Sequence, residues 1–124
     1  MMHQYNDDVV EISKQLFLKK AEDVIVLHVS HLTIVADYFI LASGRSDVHV
    51  RSLCDDVEKL MMEKGKQRLR IEGYREGRWI VLDYGDILIH VFHKHEREFY
   101  GLERLWVDGD NCLKITEDDI KPKG

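Results

Sequence analysis

Apolar residues recur along this chain at two different spacings, which separate helices from strands. Over residues 6–20 they return every three or four positions, the spacing of one face of an α-helix. The same spacing defines a second helix, which begins at Ser46 or Asp47 as the N-cap and ends before Gly65. These two segments are predicted to pack their apolar sides against a common core.

Five segments between and after these helices are predicted to be strands: residues 23–29, 38–42, 68–73, 78–83 and 86–93. The first two are nearly unbroken apolar, β-branched runs, which are typical of a strand covered on both faces. A last helix is expected over residues 95–106, with Gly101 weakening it by roughly 1 kcal/mol relative to alanine. The order αββαβββα predicts an α/β (α+β) fold, with one mixed sheet of about five strands flanked by helices. Residues 108–124 are expected to form a polar, mobile tail.

Composition narrows the class of protein. The chain has 124 residues, enough for one domain, and no apolar run approaches the roughly 20 residues that span a bilayer. Its beginning lacks the pattern of a secretory or transit peptide, and its two cysteines lie far apart, so we expect a cytoplasmic protein without a disulfide.

The balance of charge indicates the kind of partner. Eighteen basic residues stand against 23 acidic ones, a formal charge of −5. An acidic chain does not derive its affinity from neutralising phosphates, so nucleic acid is not expected as the main contact. A basic protein is the favoured partner.

Histidines suggest a metal site, but their spacing argues against one. His90, His93 and His95 are close in sequence. Side chains alternate faces along a strand, so His90 and His93 point to opposite sides, and a zinc site needs three or four converging ligands. We expect neither a metal nor another cofactor.

A strand-to-helix turn suggests a second kind of chemistry. Residues 43–46 read Ser-Gly-Arg-Ser, similar to the Gly-Ser turn of nucleotidyltransferases. Those enzymes also need paired aspartates on the following strands, which are absent here. The sequence therefore predicts a nucleotidyltransferase-like shape without the catalytic acids. An enzyme that uses Ser46, Asp83 and Asp86 with magnesium is the alternative.

Aromatic and arginine side chains surround the predicted hairpin. Tyr74, Arg78 and Trp79 lie in the stretch 72–79, which is too polar to be only core, and Tyr84 lies at the turn. Tryptophan, tyrosine and arginine carry much of the binding energy at protein interfaces. A surface that bears Trp79 is therefore a candidate docking site.

Two long blocks resemble the Iojap, or ribosomal silencing factor, family. They are ADYFILASGRSDVHV at 36–50 and EGYREGRWIVLDYGDILIHVFHKHEREFYGLERLW at 72–106. The resemblance covers residues 5–107, which we predict to be the family's domain. It implies a protein without enzymatic activity that binds the large ribosomal subunit through ribosomal protein L-fourteen. Bound there, it blocks the small subunit sterically and represses translation when nutrients are scarce.

The resemblance also implies a set of contact residues centred on the hairpin. Trp79 is the expected anchor, with Tyr74, Val81, Tyr84, Ile89 and Val91 on the same face or at the strand ends. Asp83, Asp86 and Glu96 are expected to pair with basic groups. Family members often form homodimers. A role in assembly of the large subunit, through the same docking site, remains open. An RNA-binding module is a further alternative, against which the acidic charge argues.

Overall fold

One mixed sheet of six strands runs through the molecule. The computed structural model describes residues 5–120, without the side chains of 98–100 and 102–103. Its strands are β1 (Glu22–His28), β2 (Tyr38–Gly44), β3 (Arg70–Glu72), β4 (Trp79–Asp83), β5 (Ile87–His93) and β6 (Cys112–Lys114). They lie in the order β3-β4-β5-β2-β1-β6. The central pair, β2 and β5, is parallel, and the other neighbours are antiparallel.

Two long helices cover one face of this sheet. The helices are α1 (Asp7–Leu18), α2 (Asp47–Glu63), α3 (Lys94–Tyr100), α4 (Leu102–Trp106) and α5 (Glu117–Ile120). The Asn6 side chain accepts a hydrogen bond from the Asp8 amide and begins α1, and Ser46 does the same for α2 with the His49 amide. The apolar sides of α1 and α2 pack on buried residues of β1, β2, β4 and β5. Both helices and the fold class were predicted correctly.

The end of the chain differs from the prediction. Residues 112–114 pair with β1 as a sixth strand, and Ile115 beyond them is 3% exposed. Asn111 donates to the backbone oxygens of His28 and Trp106. The expected mobility of the tail is therefore wrong for residues 111–115. Three residues are too few for an alternation to reveal a strand. A domain boundary at residue 107 stays a prediction.

The last predicted helix is divided in two. Gly101 has the left-handed φ of 57° and caps the end of α3, with its amide bonded to the Arg97 carbonyl. A glycine in this conformation ends a helix without steric cost. The single helix over 95–106 is therefore replaced by α3 and α4.

Asp8 joins α1 to the segment after α2. Burial alone raises the pKa of the Asp8 carboxyl, but hydrogen bonds and positive charge from Lys64 and Lys66 outweigh burial and hold the pKa below its usual value. We expect Asp8→Asn to cost about 1–2 kcal/mol of unfolding free energy at neutral pH. Because the folded pKa is depressed, this contribution is present above the unfolded value of 3.8 and disappears as pH falls through the folded value. Urea unfolding measures it, with the exposed Asp7→Asn as the control.

Arg97 holds α3 against an irregular part of the sheet. The side chain is 5% exposed, and Nη1 donates to the Asp23 carbonyl at 2.6 Å and to Ser43 Oγ at 2.9 Å. Asp23 has a φ of 50°, where the pairing of β1 with β2 changes register.

Arg97→Met removes the guanidinium and keeps most of the apolar stem. We expect a loss of about 2 kcal/mol, because the buried Ser43 hydroxyl and the partly buried Asp23 carbonyl lose a charged donor. Urea denaturation measures the loss. Arg104→Met, on an exposed position of α4, is the matched control. Equal stability of the two variants would contradict this role for Arg97.

Candidate docking face

Ring side chains form a continuous patch on the sheet face that α1 and α2 leave uncovered. We call this patch the aromatic face; it consists of Phe39, Trp79, His90, Phe92 and Trp106. Trp79 lies directly opposite Phe92 in the β4–β5 pair, and the two rings stack at 5.1 Å. The Phe39 ring packs edge to face against the rings of His90 and Trp106, with ring centroids 5.3 Å and 5.1 Å apart. Strand alternation thus brings distant residues onto one surface.

The aromatic face is buried at its centre and open at Trp79. Phe92 and Phe39 are buried, whereas Trp79, and Val81 two positions along β4, are only half-buried. Trp79 therefore has a packed ring behind it and accessible surface in front. This is the arrangement of an anchor residue that contacts a partner.

His90 is the one polar ring on this face. Its Nδ1 accepts a hydrogen bond from Trp79 Nε1 at 3.1 Å. Burial lowers the pKa of His90 to about 4, so the ring is neutral near pH 7. With Nδ1 as the acceptor, the neutral ring carries its proton on Nε2.

Three of the predicted contact residues share the aromatic side of the sheet. Trp79, Val81 and Asp83 alternate along β4, and Val81 lies opposite His90. Asp83 Oδ1 accepts from the Gly85 amide at 2.8 Å, so this carboxylate also stabilises the hairpin turn. The structure brings these three residues together.

The two predicted tyrosines lie on the helix side instead. Tyr74 donates its hydroxyl hydrogen bond to Asp55 of α2 at 2.9 Å. Tyr84 packs against the helix-covered core, where burial, and secondarily the charge of Glu58, raises its pKa to about 12. Neither ring extends the aromatic face.

Ile89 and Val91 are not surface residues. Both are 0% exposed and belong to the core beneath α1 and α2. Trp79 faces the even-numbered residues of β5, so the expectation that Ile89 and Val91 share its face is wrong. They stabilise the sheet from the opposite side.

The remaining predicted acids lie at the two ends of the hairpin. Asp86 is exposed in the turn, and its backbone oxygen accepts from the amides of Asp37 and Tyr38. Glu96, on α3, accepts from Arg78 Nη1 at 2.7 Å. Glu96 is therefore already paired within the chain, whereas the Asp86 side chain faces solvent.

The structure does not bring together, in the part of the chain that it describes, the side chains needed for the magnesium-dependent enzyme or for a histidine metal site. Ser46 follows the end of β2, whereas Asp83 and Asp86 lie at the opposite end of the parallel β2–β5 pair. Seven strand residues separate them by roughly 20 Å. Among the described residues, no three histidine, cysteine or acidic side chains are grouped as metal ligands. No helix within residues 5–120 has the length and apolar character needed to span a membrane.

Several members of the aromatic face were not predicted. Phe39, His90 and Phe92 come from two strands that only the register brings together, and Trp106 contacts Phe39 from α4. The available signal was the odd–even alternation of β5. It is obscured because both faces of this central strand are buried.

Comparisons with known proteins identify relatives along most of the chain. The family model described as "Ribosomal silencing factor during starvation" matches residues 3–123. A protein of Halalkalibacterium halodurans named ribosomal silencing factor RsfS is 41% identical over 90 residues, 73% of this chain and 77% of that protein. The mouse protein "Mitochondrial assembly of ribosomal large subunit protein 1" is 29% identical over 103 residues, 81% of this chain and 44% of its own length.

A solved structure has the same fold. The crystal structure of a Bacillus halodurans protein superposes with a TM-score of 0.75 at 32% identity, covering 89% of this chain and all of the other.

Proposed function

This chain belongs to the ribosomal silencing factor family, and from that membership we propose how it silences ribosomes. It binds the large ribosomal subunit in the cytoplasm and prevents the small subunit from joining. The mechanism is steric competition for one surface and requires no catalytic step. Ribosomal protein L-fourteen is the proposed contact.

The observation that carries this proposal is the half-exposed Trp79 on a buried aromatic layer. Phe92 stacks behind the indole and His90 accepts its N–H. A large ring that is already packed on one side loses little freedom when a partner covers the other. Val81, half-buried on the same side of β4, and Leu88, half-buried opposite Asp83, extend the apolar surface along the hairpin.

Charge complements this apolar centre. The chain carries a formal charge of −5, and Asp83 and Asp86 lie at the turn of the hairpin that holds Trp79. A basic ribosomal protein matches such a rim. Rim charges mainly increase the association rate and orient the partner, while the aromatic anchor determines the dissociation rate.

Co-sedimentation with purified large subunits tests the docking step. The protein should travel with the large subunit, and an excess of isolated protein L-fourteen should release it. A protein that remains at the top of the gradient at micromolar concentration would contradict docking. If excess L-fourteen does not displace the protein from the large subunit, this choice of partner would be contradicted.

Assembly of the large subunit is a second candidate, favoured by the name of the mouse relative. It would use the same docking face at an earlier stage. Cells that lack the protein would then accumulate incomplete large subunits during growth. A silencing role instead predicts normal subunits and excess joined ribosomes in starved cells. A homodimer stays a prediction, which the mass of the free protein in solution tests.

A further inference from the structure

A polar ring is buried among aromatic and aliphatic side chains on this face of the sheet. His90 is 7% exposed, with Phe39 and Phe92 against its ring and Val81 and Leu41 at the paired positions of the neighbouring strands. Its Nε2 has no hydrogen-bond partner among the residues that the structure describes. A buried polar atom without a partner destabilises the fold. Packing alone therefore does not explain a histidine at this position.

The other nitrogen of the ring has a specific contact. Nδ1 accepts the indole hydrogen of Trp79 at 3.1 Å. Trp79 lies opposite Phe92 and diagonal to His90 in the β4–β5 pair. Large aromatic side chains can contact each other across such a diagonal. Stacking on Phe92 fixes the plane of the indole, with an interplanar angle of 23°. The bond to His90 then fixes which edge of the indole points into the sheet and which edge remains outside.

We propose that His90 is a positioning residue, which holds the Trp79 indole in the orientation that a partner recognises. A fixed ring presents one edge and one face, and it has little rotational freedom left to lose on binding. The consequence for affinity rests on the proposed docking through Trp79. The orientation itself is a property of the free protein.

Two variants at residue 90 separate the hydrogen bond from the packing. His90→Phe fills the same space with a ring that has no acceptor. His90→Asn is smaller but places its Oδ1 near the position of Nδ1, so it can still accept from the indole. The chain has two tryptophans, and Trp106→Phe assigns their indole N–H resonances in a ¹H–¹⁵N spectrum.

The indole N–H resonance of Trp79 reports the hydrogen bond directly, without a ribosome. We expect it to move upfield in His90→Phe and to stay close to the wild-type position in His90→Asn. The resonance of Trp106 serves as the internal control. An unchanged Trp79 resonance in His90→Phe would overturn the positioning role.

Binding to large subunits then measures the consequence. We expect His90→Phe to weaken the affinity about 3- to 10-fold, the cost of fixing one large side chain, and His90→Asn to retain it within about two-fold. Equal losses in both variants would show that the acceptor is irrelevant and would overturn the inference. If Trp79→Ala leaves binding intact while the resonance still moves in His90→Phe, the docking proposal fails and the orientation of Trp79 by His90 stands.

Discussion

Replacing Trp79 with alanine should weaken binding to the large subunit by at least about 2 kcal/mol, or roughly 30-fold in Kd. The reason is that Trp79 combines accessible surface with firm support from Phe92 and His90. Truncation removes the contact and leaves a gap on both sides of the interface. Titration of labelled protein with purified large subunits measures the change.

The matched control for Trp79→Ala is a large apolar residue on the other side of the molecule. Met62 is 69% exposed at the end of α2, so Met62→Ala should change neither folding nor binding. Trp79→Phe keeps a ring to stack on Phe92 and should fall between wild type and Trp79→Ala. A folded Trp79→Ala protein with wild-type affinity would remove Trp79 from the interface.

Acidification should lower the free energy of unfolding by on the order of 3 kcal/mol through protonation of His90 alone. Burial lowers the pKa of His90 from 6.5 to about 4, and each pKa unit corresponds to about 1.4 kcal/mol. Between these two values the unfolded chain binds the proton more readily than the folded chain. The contribution of the neutral ring is therefore complete above pH 6.5 and is lost as pH falls toward 4.

Urea unfolding between pH 7 and pH 4 tests this dependence. Other groups titrate in the same range, so the decisive quantity is the difference between wild type and His90→Phe. The free energy of unfolding should fall more steeply with acid in the wild-type protein. Parallel pH curves for the two proteins would mean that His90 is not held neutral.

Local patterns predicted the helical half of the fold better than the sheet edges. The residues of α1 and α2 keep the helical spacing over three turns or more, and α2 begins at the predicted cap Ser46. β6 has three residues and depends on pairing with β1, which no local pattern reveals. Gly101 was recognised as unfavourable in a helix, but its role as a C-terminal cap depends on the φ it adopts.

The candidate site was predicted in part for a related reason. Trp79 was predicted from its residue type, the polar stretch before it and the family resemblance, and Val81 from the resemblance alone. In β5, apolar residues occupy both faces, so apolar character did not distinguish Ile89 and Val91 from residues facing Trp79. The role of His90 could not be predicted from the sequence, because it depends on the hydrogen bond to the Trp79 indole, which the strand register creates.

Light scattering of subunit joining tests the central claim most directly. Purified large subunits are incubated with the protein, small subunits are added, and the increase in scattering from joined particles is followed. The account predicts that the wild-type protein and Met62→Ala suppress the increase, whereas Trp79→Ala suppresses it only at much higher concentration. The account would be contradicted if large subunits saturated with the wild-type protein still joined small subunits at the full rate and to the full extent.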